Sequence, residues 1–313
     1  MPGTPAPTPS FAEVAGLAAA TSAALLWACS TVLYGRAGAR ISAPWLNFVK
    51  GLVAGGFFVV TLLLLGRPII TPLFDKPGSA ILLLALSGVI GISLGDTAYF
   101  ACIRSLGPRL TALLSLLAVP AASAGGLVFL GERLPPLGWV GLAVTLAGIA
   151  WVVAERPAPT DEQPRPRGQV LRGLLFGLAA AACQATGALL NRGVVNEGGF
   201  DDLWVAAWRL WVATIAVLAL LPFVPRRPAN ITGRGHFWLY LIPATLLGTY
   251  GGIWLQQAAF ARADIGYVQT LLCTTPIWIL PIMVLAGERV SARAMLGSLI
   301  GLAGVALLIF SSR

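Results

Sequence analysis

Long apolar runs, each about the length of a membrane-spanning helix, alternate with short polar segments along the chain. A helix needs about 20 apolar residues to cross a bilayer. The runs are continuous and rich in Leu and Ala, whereas barrel strands would alternate over about 10 residues, so the pattern predicts helices. Ten spans are predicted, at residues 14–35, 46–66, 79–100, 108–130, 136–154, 171–191, 203–224, 236–258, 265–286 and 292–311.

Two segments fall outside this pattern. Residues 1–13 are rich in Pro and Thr, and we expect a disordered N-terminal tail there. They lack the basic start of a secretory signal, so the first run is expected to be a retained membrane helix. Residues 156–170 combine several prolines with mixed charge, which is typical of a linker. The linker separates five predicted spans in 14–155 from five in 171–313.

The two groups of five spans share a sequence register, which indicates an internal duplication. A shift of 156 residues aligns 95–150 with 251–306, with 12 identities in 56 positions and no gap. The aligned pairs include Pro120 with Pro276, the Gly-Glu-Arg tripeptide at 131–133 with that at 287–289, and Lys50 with Arg209 once a three-residue indel is allowed. An odd number of spans per repeat predicts inverted halves, a design typical of secondary transporters with a site between the halves.

Composition agrees with a membrane protein. The chain is 57% hydrophobic and only 11% charged, whereas an average soluble domain carries roughly 25% charged residues. This excludes a soluble enzyme, a nucleic-acid-binding domain and a disordered chain. The net charge of +9 is spread in small groups between apolar runs, as expected for helix ends. Four separated cysteines and a single histidine argue against a disulfide framework, a metal cluster or a catalytic triad.

In their order and double occurrence, these features resemble the drug/metabolite transporter superfamily and specifically its EamA-like family. The resemblance rests on five plus five spans, a basic residue in the second span of each half, a Pro in the fourth followed by Gly-Glu-Arg, and the segment GDTAYF at 95–100. It implies ten transmembrane helices as two inverted five-helix repeats around a central cavity. It also implies a transporter of small metabolites across the cell (cytoplasmic) membrane, often as an exporter, without naming the cargo.

Ionisable side chains inside predicted spans are candidate functional sites, because burying charge in lipid is costly. Asp96 could bind an amino or other cationic group or carry a coupling proton, or it could be a structural partner of Lys50, Arg104 or Arg109. It has no counterpart in the second half, where Gly252 stands. For Lys50 and Arg209, recurrence in both halves favours a helix-packing or gating role, and the alternative is that they pair with an acidic group or an anionic substrate.

Polar and aromatic residues in the spans complete the candidates for binding or coupling. Besides Asp96 they are Tyr99, Trp27, Thr31, Gln184, Trp254, Gln257, Gln269 and Thr274. Amides and aromatic rings in an apolar pocket suit amino-acid-like or aromatic metabolites. The alternative is interhelical hydrogen bonding for the amides, and helix packing or anchoring at the membrane interface for any single residue of the set. Candidates for gating or structure are Lys50, Arg209, Pro120, Pro276, Glu132 and Glu288.

The sequence therefore predicts a secondary active transporter of small metabolites such as amino acids, working by alternating access and coupled to a proton or to exchange. We expect a small-molecule substrate, a lipid bilayer, no nucleic-acid partner, no cofactor, no metal, no enzymatic activity, and a monomer or weak homodimer. The alternatives are a nucleotide-sugar or organic-phosphate exchanger of the same superfamily and an intramembrane enzyme acting on a lipid-linked substrate. With cytoplasmic termini, the outer loops would carry more basic residues than the inner ones, which conflicts with the positive-inside rule.

Overall fold

Every regular element in the described part of the chain is a helix. The computed structural model describes residues 11–38, 41–129, 135–153, 166–195, 199–223, 235–260, 262–263, 265–287 and 290–311. The tail at 1–10, most of the linker, and the Gly-Glu-Arg tripeptide at 131–133 lie outside the described residues, as do Glu288 and Arg289 of the second tripeptide.

The first half is built from eight α-helices and one π-helical segment. They are α1 (Phe11–Ala37), α2 (Ala43–Leu64), α3 (Pro72–Asp75), α4 (Gly78–Gly88), the first π segment (Val89–Leu94), α5 (Gly95–Leu106), α6 (Pro108–Ser115), α7 (Ala118–Phe129) and α8 (Pro136–Val153). Prolines at the first helical turn start α2, α3, α6 and α8, where the missing N–H costs nothing. Gly107, with a φ of 84°, makes the turn between α5 and α6, a backbone conformation that favours glycine.

The second half repeats this plan. Its elements are α9 (Arg167–Val195), α10 (Asp202–Leu220), a 3₁₀ turn (Leu221–Phe223), α11 (Gly235–Ala244), the second π segment (Thr245–Gly252), α12 (Ile253–Phe260), α13 (Ile265–Leu272), α14 (Thr275–Leu285) and α15 (Ala292–Ser311). Asp201 caps α10 by accepting a hydrogen bond from the backbone N–H of Trp204 at 3.0 Å, and it also pairs with Arg67. This ion pair joins the two halves.

Irregular backbone recurs at the offset of the duplication. The first π segment begins at Val89, and the second begins 156 residues later at Thr245. The break between α6 and α7, at 116–117, has its counterpart in the break between α13 and α14, at 273–274, within one residue of the same offset. Local departures from α-helical geometry often mark functional sites. The duplication is thus visible in the distortions of the helices as well as in the sequence.

Two pairs of matching helices pack against each other in antiparallel fashion. In the α8–α15 pair, a methyl group added to Gly148 would come within 2.5 Å of the backbone nitrogen of Gly301, and one added to Gly304 would come within 2.5 Å of Thr145 Oγ1. Residue numbers therefore rise along one helix as they fall along the other. Glycines at these contacts allow the two helices to approach closely.

The α2–α10 pair follows the same rule, since Gly51 contacts Thr214 and Gly55 contacts Trp211. The first helix of each half packs against helices of the other half. α1 packs on the second π segment, α12, α13 and α14, while α9 packs on α5, α6, α7 and the first π segment. Each half thus places its first helix among the helices of the other half.

The exterior of the helices is apolar. Leu63, Leu175, Leu239 and Leu299 are among many exposed large hydrophobic side chains, an exterior suited to lipid. Each predicted span falls on a helical stretch, and five stretches are long and apolar enough to cross a membrane: Phe11–Ala37, Ala43–Leu64, Gly78–Leu106, Arg167–Asn191 and Asp202–Phe223. Other apolar helices, such as Pro136–Val152 and Thr270–Leu285, are shorter. The chain is a multi-pass membrane protein.

Candidate functional site

A cavity of about 280 Å³ lies where helices of the two halves meet. Its wall comes from α1, α2 and α5 through α7 of the first half, from α9, α10, α12 and α14 of the second half, and from both π segments. Ligand pockets in proteins commonly measure roughly 300–1,000 Å³. The cavity therefore suits a small metabolite. Three of its wall residues carry formal charge, namely Lys50, Asp96 and Arg209.

Lys50 and Asp96 form an ion pair at the cavity wall. Lys50 is 1% exposed, and its Nζ donates to Asp96 Oδ2. The other carboxylate oxygen, Oδ1, lies 3.5 Å from Nε2 of Gln184, which comes from α9 of the other half. The Lys50 Nζ also lies 5.5 Å from the centre of the Phe100 ring. Both oxygens of Asp96 are thus engaged by protein groups.

Asn47, one turn before Lys50 on α2, fixes the position of this pair. Its Nδ2 donates to the carbonyl oxygens of Ile92 and Ser93, each at 3.0 Å, and lies 2.9 Å from Thr97 Oγ1. A π segment leaves backbone carbonyls short of helical partners, and a buried carbonyl needs a donor. Asn47 supplies that donor and thereby holds α2 against the segment that leads into Asp96.

Arg209, the sequence counterpart of Lys50, is held differently. Its Nε donates to Oγ of Ser87 at 2.8 Å, and Ser87 is fully buried and donates to the Leu84 carbonyl. Among the described residues no carboxylate lies within 4 Å of the guanidinium. Gly88 makes this contact possible, because a side chain there would collide with the backbone of Arg209. The charged groups of the wall therefore leave one positive charge uncompensated.

Hydroxyl and aromatic groups of α1 form the opposite part of the wall. Thr31 Oγ1 and Tyr99 Oη are 2.8 Å apart, and Tyr34 Oη lies 2.8 Å from Thr249 Oγ1 on the second π segment. Trp27 Nε1 donates to the carbonyl of Gly248 in that segment at 3.0 Å. Backbone carbonyls of each π segment therefore accept hydrogen bonds from a side chain of a neighbouring helix, which is Asn47 in the first half and Trp27 in the second.

The structure brings most of the sequence-predicted residues together. The wall contains Trp27, Thr31, Lys50, Asp96, Tyr99, Gln184, Arg209 and Pro276. It does not contain Trp254, which is 42% exposed on the outer surface, or Gln257, which is buried between helices. Their neighbour Gln256 lines the cavity instead, because successive helix positions point about 100° apart.

Five further candidates lie elsewhere or outside the described residues. Thr274 donates to the carbonyl of Leu271 and receives a hydrogen bond from Trp278 Nε1, both within the break before α14. Pro120 is buried in α7 away from the cavity. Glu132 and Glu288 are outside the described residues, and so is the side chain of Gln269.

Sequence reasoning missed a stripe of small residues on α9. Gly177, Ala180 and Ala181 line the cavity in line with Gln184, at the i, i+3, i+4, i+7 spacing of one helix face. That spacing was the available signal. Thr111 and Ser115 of α6 also line the cavity, although each hydroxyl donates to a backbone carbonyl of its own helix, which gives no distinctive pattern.

Comparisons with known proteins agree with this architecture. The model of the EamA-like transporter family matches residues 14–154 and again 171–310. Among solved structures, 27 chains match. One of them, a crystal structure of a protein, has a TM-score of 0.67 and 18% identity, and the match covers 94% of this chain and 96% of that one. At this identity the likeness shows a shared fold. No curated protein matches in sequence.

Proposed function

Because the chain belongs to the EamA-like transporter family, we propose that it is a secondary active transporter that moves small metabolites, such as amino acids and related compounds, by alternating access. The observation that carries this is a cavity with charged, amide and aromatic walls between two halves of one duplicated fold. Aromatic surface with a few convergent polar groups is typical of metabolite sites.

Ten transmembrane helices in two inverted repeats are part of this proposal. The support is the antiparallel packing of α8 on α15 and of α2 on α10. If two matching helices that both cross the membrane run in opposite directions, the two-fold axis relating the halves must lie in the membrane plane. Inverted repeats allow the same protein to open first to one side and then to the other. The helices broken by π segments and turns would cross as single spans.

Transport is tested with purified protein in proteoliposomes and a matched pair of cavity variants. Ala180→Phe places a ring in the cavity wall, whereas Ala182→Phe places the same ring on the exposed face of α9. We expect counterflow of a labelled amino acid from a panel with wild-type protein and Ala182→Phe, and its loss with Ala180→Phe. Absence of flux for the whole panel with monodisperse wild-type protein would contradict the proposal, as would equal flux in the two variants.

Export direction and proton coupling are further parts of the proposal. Asp96 is the carboxyl group of the cavity wall among the described residues, and Lys50, Gln184 and Arg209 are the polar groups around it or beside it in the wall. A proton bound by Asp96 would release Lys50 and change the charge seen by the cargo. We expect Asp96→Asn to remove the dependence of transport on a pH gradient. Unchanged dependence would exclude Asp96 as the proton carrier.

A further inference from the structure

Arg209 is the cation of the cavity wall that has no ion-pair partner among the described residues. It has one hydrogen-bond partner among the described residues, the neutral hydroxyl of Ser87, and this partner occupies Nε alone. Arg209 is half-buried and lines the cavity, and Ser87 engages its Nε alone. The two terminal nitrogens are therefore the part of the guanidinium left for a ligand. A guanidinium fork matches the two oxygens of a carboxylate.

Because Asp96 is already paired with Lys50, the cavity wall offers no free carboxylate among the described residues to bind a cationic cargo. One carboxylate oxygen binds Lys50 and the other lies against Gln184. An ammonium group entering the cavity would have to displace Gln184 from Oδ1 and share the one carboxylate with the buried Lys50, and the two cations would repel each other. An anionic cargo meets no such obstacle, since it would supply the charge that Arg209 lacks.

We propose that Arg209 forms an anion subsite that binds the carboxylate of the cargo, and that the cargo is a monoanion with an apolar or aromatic body and no required amino group. This inference rests on the proposed function, whose cavity it uses. A single guanidinium compensates one negative charge, which favours a monocarboxylate over a phosphate dianion. The rings of Trp27, Tyr99 and Phe100, which line the same cavity, provide apolar surface for the body.

The charge preference is tested by binding to the purified full chain, using four probes that share one phenyl ring. They are 3-phenylpropanoate (anion), phenylalanine (zwitterion), 2-phenylethylamine (cation) and phenyl phosphate (dianion). The readout is the shift in melting temperature, titrated at pH 7 to obtain a half-saturating concentration. We expect 3-phenylpropanoate to bind at least as tightly as phenylalanine, and the amine and the phosphate to bind more weakly.

A series of charge variants separates binding from a structural role of Arg209. Arg209→Gln should weaken 3-phenylpropanoate binding about tenfold or more, because a charge-assisted hydrogen bond is lost. Asp96→Asn should strengthen binding, because Lys50 is released from its partner. The double variant Arg209→Gln/Asp96→Asn should recover binding relative to Arg209→Gln, since Lys50 then supplies the positive charge. A structural role of Arg209 would not produce this recovery.

Several results would overturn the anion subsite. They are tighter binding of the amine or the phosphate than of the carboxylate, undiminished carboxylate binding in Arg209→Gln, and no shift with any probe. If Arg209→Gln is not monodisperse, Arg209→Lys decides, because it keeps the charge without the fork; we expect weaker binding, and wild-type affinity would overturn the assignment. Carboxylate binding without flux in proteoliposomes would contradict the proposed transport but not the anion subsite. Flux of the amine would support transport and contradict the anion subsite.

Discussion

The second helix of one half and its counterpart in the other carry matched cations that meet different neighbours. Lys50 on α2 is buried against Asp96, within its own half. Arg209 on α10 reaches across to Ser87 in the other half and meets a hydroxyl. The position that matches Asp96 is Gly252, and it lies against Trp27, where a carboxylate side chain would collide.

This difference shows how a duplicated fold acquires an asymmetric site. A buried charge must be matched, or it must reach water or a ligand. In the first half, Lys50 is paired with Asp96 of the same half, and this ion pair joins α2 to α5. The second half leaves its cation open to the cavity. One half therefore provides a fixed wall, and the other provides the charge that we assign to the cargo.

The largest loss of stability is expected from breaking the Lys50–Asp96 ion pair. Lys50→Met leaves the Asp96 carboxylate without its cation, and breaking a buried ion pair in this way costs about 3–5 kcal/mol. The double variant Lys50→Met/Asp96→Asn should regain most of that stability. Arg209→Met should cost much less, because no carboxylate partner is left behind. Denaturant unfolding in detergent measures all three, and equal losses for Lys50→Met and Arg209→Met would break the comparison.

The asymmetry can also be removed by giving Arg209 its own acid. Ser87→Asp places a carboxylate beside the guanidinium, so 3-phenylpropanoate should bind about tenfold more weakly, because Arg209 is then compensated. Ser87→Asn is the matched neutral control of nearly the same size and should bind nearly as wild type does. Titration of the melting temperature distinguishes them. The same affinity in both variants would show that the charge of Arg209 is not what the probe detects.

Where the two halves are alike, matched substitutions should give matched effects. Gly148→Ala and Gly304→Ala add a methyl group at equivalent close contacts of α8 and α15, and overpacking of this kind costs about 1–3 kcal/mol. Gly56→Ala, where nothing lies within 4 Å of the added methyl, is the control and should be neutral or stabilising. Unequal losses at 148 and 304 in unfolding experiments would argue against the two-fold relation.

The smallest effect concerns the donors that hold the two π segments. Trp27→Phe removes the single hydrogen bond to the Gly248 carbonyl and should cost about 1 kcal/mol. Asn47→Leu removes donors to two carbonyls of the first π segment and should cost more. Unfolding in denaturant measures both. A larger loss for Trp27→Phe than for Asn47→Leu would show that the second segment depends on its donor more than the first does.

The helices and the duplication could be predicted from the sequence because apolar runs and a repeated register are local signals. The offset of 156 residues located the repeat that the π segments then display. The breaks inside α6–α7 and α13–α14 were not predicted, because Pro120 and Pro276, which lie next to them, are also tolerated inside a continuous membrane helix. The ten-span count and the inverted arrangement stay predictions that the antiparallel glycine contacts support.

Charged residues of the site could be predicted from the sequence, because a charge inside a membrane helix is costly. The neutral residues of the site could be predicted only from the helix face on which they lie. Asp96, Lys50 and Arg209 stood out for their charge, and all three line the cavity. Polarity alone could not decide between Gln256 and Gln257, since only the rotation of α12 places the first in the wall. The difference between Lys50 and Arg209 depends on which helix each side chain reaches. These contacts belong to the tertiary structure. Because Lys50 and Arg209 occupy equivalent sequence positions, the sequence did not indicate that their neighbours differ.

The central claim is that Arg209 binds the anionic group of the cargo, and a structure of the full chain with a bound heavy-atom probe tests it most directly. Crystals grown with 3-(4-bromophenyl)propanoate would show the bromine by anomalous scattering and fix the orientation of the molecule. The account predicts a probe inside the cavity with both carboxylate oxygens at hydrogen-bond distance from the Arg209 guanidinium and the Lys50–Asp96 pair intact. A carboxylate bound by Lys50 with Asp96 displaced, or a probe outside the cavity, would contradict it.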